Sequence, residues 1–311
     1  METPGNAACG KGAPSTSYSE SEDFAGLQAE GGLKGTLRLE PLNSQEVSFR
    51  TIQAVQALFQ RQSSETSEEQ SFWYLDMMSD ATVSRFLFAE KGDASKACKR
   101  LLATWKWRKK NQPWAVKCHL CISDHRTHDF RYLCHDQYSR PVLYLSFATF
   151  HNPESNLLMD HVIAQIEQCT ALYLEGSGGG AGDGQASTFV WVADYTGFGL
   201  RHPGLNPRFP LSLAYTFQTH YPERLGAVLC VDAPSIFEGV WNVIQPALDA
   251  KTRSKIHFVR GAQGRSEMAN ELFGPARSNL AYWLVDHMNK VRQPDYRERF
   301  WQDPHEMPPA E

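Results

Sequence analysis

Cysteines and histidines, side chains able to hold a metal ion, cluster in CHLCISDHRTHDFRYLCH, Cys118 to His135. Cys118 and Cys121 form a C-x-x-C pair, and His125 and His128 stand one helical turn apart. Two thiolates and two imidazoles are a donor set for tetrahedral zinc. The interval between the two pairs is much shorter than in a zinc finger, so the spacing alone assigns no metal. Other reactive groupings are scarcer. There is no G-x-S-x-G elbow for a nucleophilic serine. Cys230 lies in an apolar run that predicts a buried strand, which makes it a poor nucleophile. None of the eleven histidines falls in a catalytic arrangement. The loop GSGGGAGDG, Gly176 to Gly184, fits G-x-G-x-x-A. It follows a predicted helix and opens a predicted strand, the reverse of a dinucleotide fingerprint, and is expected to be a surface insertion.

Binding chemistry is more visible than covalent chemistry. The stretch Tyr221 to Phe258, YPERLGAVLCVDAPSIFEGVWNVIQPALDAKTRSKIHF, supplies in order a turn, a buried strand, an amphipathic helix, a basic turn and a second strand. Ile236, Val240, Ile244 and Leu248 repeat every four residues, and Phe237, Trp241 and Val243 widen the stripe. Ser235 and Glu238 fit an S-x-x-E capping box at its start, and Pro246 predicts a kink. Periodicity leaves two readings open: a core-packing helix, or a movable lid over an apolar cavity. Burying Phe237, Trp241 and Ile244 would be worth roughly 1.5–3 kcal/mol each in either case.

The elements that position these groups follow from composition and pattern. The 311 residues are 41% hydrophobic and 21% charged, enough for one large domain or two modest ones. A net charge of −4 argues against bulk nucleic-acid binding. No apolar run is long enough to span a bilayer. The N-terminus has neither the apolar core of a secretory signal nor a Met-Gly start, and seven scattered cysteines read as reduced thiols of a cytosolic protein. Residues 1–43, poor in large apolar side chains, are expected to form a disordered tail. Residues 44–78 supply a helix over Ser44 to Arg61 and the polar linker SSETSEEQ. Helices are predicted over Asp80 to Glu90 and Asp93 to Lys110, joined at Gly92 and with Asp93 as cap. Strands at Phe130–Cys134, Pro141–Phe147, Ser187–Tyr195, Leu225–Asp232 and Lys255–Val259 alternate with helices over Ser155–Glu175, Pro210–His220 and Ser235–Leu248. That order predicts an α/β fold, a mostly parallel sheet flanked by helices. Two more helices, Arg265–Phe273 and Arg277–Val291, precede a frayed end. Seven basic residues between Lys96 and Lys110 read as a solvated face or as a surface for anionic head groups.

From about Ala81 to Val259 the chain resembles the CRAL-TRIO lipid-binding family, typified by yeast-type phosphatidylinositol transfer proteins. SRFLFAEKGDASKACKRLLATWKWRKK, Ser84 to Lys110, is similar to the family's helical lobe. DQYSRPVLYL resembles its D-x-x-G-R-P-V turn, WVADYTGFG its central strand, and the segment from Tyr221 its most specific signature. The resemblance implies a helical N-terminal lobe over 79–118, a lipid-binding domain over 119–262 with an apolar cavity under a gate helix, and a helical extension over 263–311. It implies a cytoplasmic carrier that takes a phospholipid such as phosphatidylinositol and exchanges it at a membrane surface, with no catalytic residue, cofactor or metal. Within the family the Cys118 to His135 region is only the crossing from lobe to sheet; a haem held by His or Tyr is a minor alternative.

Carried over position by position, Lys91, Thr252 and Lys255 match residues that hold the lipid phosphate. Glu223 matches an acid that contacts the inositol ring, or forms a structural ion pair with Arg224. Phe237, Val240, Trp241 and Ile244 belong to the gate. The chain departs at Glu90, where the family has arginine, placing a carboxylate near the expected phosphate. It departs at Ser139, where the family has glycine. It also has Leu143 where choline-lipid members have tyrosine, with Tyr144 expected on the opposite strand face. Glu90 leaves room for a non-phosphate ligand such as a tocopherol, a retinoid or squalene. A cargo-free adaptor is the reading from a different class.

Overall fold

The structure is a computed structural model that describes residues 37, 39, 48–63, 72–150, 155–174, 187–199, 208–301 and 308. Its first layer is a helical lobe of α1 (Phe49–Ser63), α2 (Phe72–Met77), α3 (Asp80–Ala89) and α4 (Ala94–Asn111). Ile52, Val55 and Phe59 recur at three- and four-residue intervals, so one face of α1 is apolar and packs on Tyr74, Leu87, Leu101 and Trp105. Ser79 caps α3 by accepting from Thr82 N, and Asp93 caps α4 by accepting from Lys96 N. Between them Lys91 and Gly92 turn the chain with φ of 54° and 84°. α2 was not foreseen; the linker after α1 falls outside the described residues.

A short helix, α5 (His119–Ser123), leads into a five-stranded sheet. The strands β1 (Phe130–His135), β2 (Pro141–Ser146), β3 (Phe189–Asp194), β4 (Leu225–Val231) and β5 (Ile256–Val259) lie in sequential order. β1 and β2 form an antiparallel hairpin; the remaining pairs are parallel. The crossovers run through α6 (Ser155–Tyr173), α7 (Arg208–His220), and α8 (Ile236–Ile244) with α9 (Ala250–Ser254). On the far face lie α10 (Gly261–Phe273) and α11 (Ser278–Lys290), followed by α12 (Pro294–Arg299).

Strand alternation sorts the core into two layers. Val142, Tyr144, Val190, Val192, Leu229 and Val231 pack toward α10 and α11. Leu143, Leu145, Phe189, Trp191, Ala193 and Cys230 pack toward α6, α7 and α8. A parallel sheet covered on both faces needs such continuous apolar runs. Leu143 and Tyr144 do face opposite sides, and Tyr144 is fully buried with its hydroxyl donating to Asp194 Oδ2 at 3.2 Å.

Ser139 adopts the glycine-like φ of 59°. The turn tolerates it because buried Asp136 accepts from the Tyr138 and Arg140 amides at 2.9 and 2.8 Å and from Arg140 Nε at 2.7 Å. Those bonds offset the strain of the left-handed backbone at Ser139.

Several expectations need correction. Leu37 and Leu39, placed in a disordered tail, are buried against the sheet; Leu39 N donates to Glu271 Oε1 at 3.0 Å and its carbonyl accepts from Arg140 at 2.7 Å. The capping box at Ser235 does not form. Ser235 is already helical (φ −56°, ψ −30°), so its hydroxyl caps nothing, and Glu238 instead lies 3.6 Å from Arg260. α8 ends at Ile244, and Pro246 sits in a 3-10 turn, Gln245–Ala247. α10 begins at Gly261, four residues before its predicted start. The frayed end and the Gly176–Gly184 loop lie outside the description, Met307 to Glu311 being represented only by residue 308.

Candidate functional site

Between the sheet and α7, α8 and α9 lies a cavity of about 830 Å³. That is within the range of small-molecule and cofactor sites. Its floor is sheet side chains, Leu145, Trp191, Ala193, Val228 and Cys230, and its far wall is α7 through Phe209, Leu213 and Phe217. The apolar stripe of α8 forms a further wall. Phe237, Trp241 and Ile244 line the cavity, while Val240 is buried beside them. Phe237 stands 4.6 Å ring to ring from Tyr195, and Trp241 meets Phe258 edge-on at 5.4 Å. The outward face still carries apolar groups: Val243 is 49% exposed and Ile236 is 37% exposed.

At the end near α9 the lining turns polar. Lys91, Arg100, Lys251 and Lys255 bring four cations; Glu223 and Asp249 bring two carboxylates. Lys91, Glu223, Thr252 and Lys255, singled out from sequence, are therefore brought together. Lys255 Nζ donates to the Leu225 carbonyl at 2.7 Å and lies 3.8 Å from Glu223 Oε2. Burial holds its pKa below the usual lysine value, against the pull of Glu223. The partner that Glu223 holds closely is Lys251, at 2.7 Å. Arg224 donates to the Ser187 carbonyl at 3.1 Å. Thr252 donates its hydroxyl to Asp249 Oδ2 at 2.7 Å, and Asp249 caps α9 by accepting from Thr252 N at 2.8 Å.

Arg100 and Lys251 were missed as site residues. By sequence Arg100 is only one cation of a basic helix face. It is half-buried, donates from Nε to the Thr219 carbonyl at 3.1 Å, and is ion-paired to Glu90 at 2.9 Å. The unwelcome carboxylate thus has its own cation. Lys251 lies in α9, and its ammonium sits 3.8 Å above the Phe88 ring. Arg108 also leaves the solvated face. It forms a buried two-bond pair with Glu167 at 2.8 Å each, joined by the Tyr221 hydroxyl at 2.6 Å.

Cys230 is buried, and burial pushes its thiol up to about 12, so it remains protonated at neutral pH. The Cys118 to His135 cluster is rearranged relative to its spacing. Cys118, Cys121 and His128 converge, but the fourth member is His161 of α6. His125 instead packs edge-on against Trp301, 5.5 Å between rings. Among the described residues no helix is long and apolar enough to cross a membrane.

A family model described as CRAL/TRIO domain matches residues 127–272. A CRAL-TRIO domain-containing protein of Schizosaccharomyces pombe is 27% identical over 208 residues, covering 61% of this chain and 43% of the relative. Another from Caenorhabditis elegans is 26% identical over 204 residues, covering 60% of this chain and 27% of the relative. Both relatives are more than twice the length of chain they share with this one. Among solved structures, the crystal structure of Sfh5 superimposes with a TM-score of 0.53 at 15% identity, over 69% of this chain and 82% of that one. That likeness concerns the fold.

Proposed function

Since this chain belongs to the CRAL/TRIO family, whose domains in general bind and transfer lipids and other hydrophobic ligands, we propose that it carries a phosphate-bearing lipid such as phosphatidylinositol. The observation that carries this reading is an apolar cavity of about 830 Å³ with four cations gathered at one end. Acyl chains would occupy the apolar part, and a phosphate would sit among Lys91, Arg100, Lys251 and Lys255. A half-buried phosphate needs both charge and donors, because its desolvation is otherwise unfavourable. Thr252 would turn its hydroxyl from Asp249 to the ligand.

Loading would need α8 to swing out, exposing Phe237, Trp241 and Ile244. Ile236 and Val243, already at the surface, would lead that helix onto a membrane. The protein would then be cytoplasmic and associate with membranes transiently. It would carry ligand without covalent chemistry. The open cavity favours a carrier over an adaptor whose cavity is filled by bulky side chains.

The test is to extract the purified chain with organic solvent and identify the lipid by mass spectrometry, then repeat with Lys255→Ala. A stoichiometric phosphatidylinositol that falls in the folded variant supports the reading. A neutral lipid reassigns the cargo. An empty, folded and monodisperse protein favours the adaptor.

A further inference from the structure

The described residues hold one convergent set of soft metal donors, and it lies outside the lipid cavity. Cys118 precedes α5, Cys121 lies within it, His128 stands just before β1, and His161 projects from α6. Cys121 Sγ is 3.3 Å from His128 Nδ1 and 3.3 Å from His161 Nδ1; Cys118 Sγ is 3.4 Å from His128 Nδ1. All four ligand atoms fall within 4.8 Å of one another. A tetrahedral zinc with bonds of about 2.3 Å to sulfur and about 2.0 Å to nitrogen separates sulfur from nitrogen by roughly 3.5 Å. The side chains therefore already stand near the corners of such a polyhedron.

A separate contact orients one ligand. His161 Nε2 lies 3.0 Å from the Phe130 carbonyl oxygen. A carbonyl can only accept, so in the neutral ring the proton is on Nε2 and the Nδ1 lone pair faces Cys121. Metal-bound histidines are held in this way by a carbonyl on the other nitrogen. Cys118, His128 and His161 are buried, leaving little room for a water or substrate as an added ligand. Closed Cys2His2 sets are structural rather than catalytic.

We propose that Cys118, Cys121, His128 and His161 bind one zinc ion that clamps the crossing from helical lobe to sheet onto α6. Only the fold completes this set, because the local spacing offers His125, which points to Trp301 instead. The clamp would fasten α6, which carries Val162 to the cavity wall, to the segment that leads into edge strand β1.

The full chain is expressed in zinc-supplemented medium and purified under reductant without chelators. Metal is measured by plasma mass spectrometry, and protein stripped by chelation is titrated with Co²⁺. The expected result is about one zinc per chain, and a cobalt complex with sulfur-to-metal charge-transfer bands and the strong visible bands of tetrahedral geometry. Cys121→Ser and His161→Gln should each weaken cobalt binding at least about tenfold, while His125→Gln matches the parent. The parent titration keeps the test meaningful if a variant fails to fold. Folded, reduced parent protein with no zinc and no cobalt spectrum would overturn the proposal. So would a cobalt spectrum unchanged by His161→Gln, or a Cys118–Cys121 disulfide in metal-free protein purified under the same reductant.

Discussion

Glu90 Oε1 accepts a hydrogen bond from Arg100 Nη1 at 2.9 Å, and Arg100 lines the cavity's cationic end. The pair leaves Arg100 partly neutralised and tied to the turn after α3. Replacing Glu90 with Gln should release that positive charge and tighten binding of an anionic lipid. Arg100→Ala should weaken it, leaving Glu90 uncompensated. One well-placed charge at partial exposure is worth about 1 kcal/mol, or roughly fivefold in affinity. Fluorescent phosphatidylinositol titrated into both variants reads the difference; equal affinities would detach the pair from the site.

The Arg108–Glu167 pair joins the helical lobe to α6 through two 2.8 Å bonds, with Tyr221 donating a third to the same carboxylate. Burial opposes the Arg108 charge, yet Glu167 overcomes it and holds the guanidinium's pKa above its usual value. Removing one partner strands the other as an uncompensated buried charge. Glu167→Ala should therefore lower unfolding stability by about 3–5 kcal/mol, and adding Arg108→Met should recover part of that loss. Urea unfolding of the single and double variants measures both effects.

His220 stacks on Trp107 at 4.2 Å between rings and shares a 3.1 Å hydrogen bond with Thr104. Burial first, then Arg100 and Arg108, depress its pKa to about 4. An unfolded histidine titrates near its ordinary value of about 6.5. Between those values the unfolded chain binds the extra proton, so the contribution is complete above pH 6.5 and is lost as pH falls toward 4. Melting temperature should drop across that interval in the parent and drop less in His220→Gln. Parallel curves would remove His220 from the acid response.

Gly197 follows β3 with φ of 82°, and a Cβ there would lie 2.8 Å from the Ala148 Cα. Both the backbone conformation and the contact exclude a side chain, and the opposing atom is main chain that cannot swing away. Gly197→Ala should cost more than about 1 kcal/mol, read as a lower urea midpoint at unchanged slope. Gly239, which has open space around it, is the control position.

Much of this molecule follows from local pattern. Strands buried on both faces and helices with one apolar stripe have distinct periods, so the helical lobe, the five strands and α8 were legible in order. The stripe of Phe237, Val240, Trp241 and Ile244 named the inward face of α8, because spacing alone decides which side chains share a helix face. Lys91, Glu223, Thr252 and Lys255 were legible only through resemblance to a motif.

Tertiary structure decided what spacing cannot carry: which neighbour each charged or ligating group meets. Arg100 and Arg108 sit two turns apart on one helix, yet one meets Glu90 at the cavity and the other meets Glu167 in the interior. Ser235 and Glu238 have the capping pattern but not the backbone angles, since the Pro234 carbonyl already starts the first turn by accepting from Phe237 N. His161 joins Cys118, Cys121 and His128 from a helix far along the chain. Local sequence determines the conformation and the faces of an element; the meeting of two distant elements depends on how the whole core packs, and that packing sets both the cationic end of the cavity and the Cys2His2 cluster.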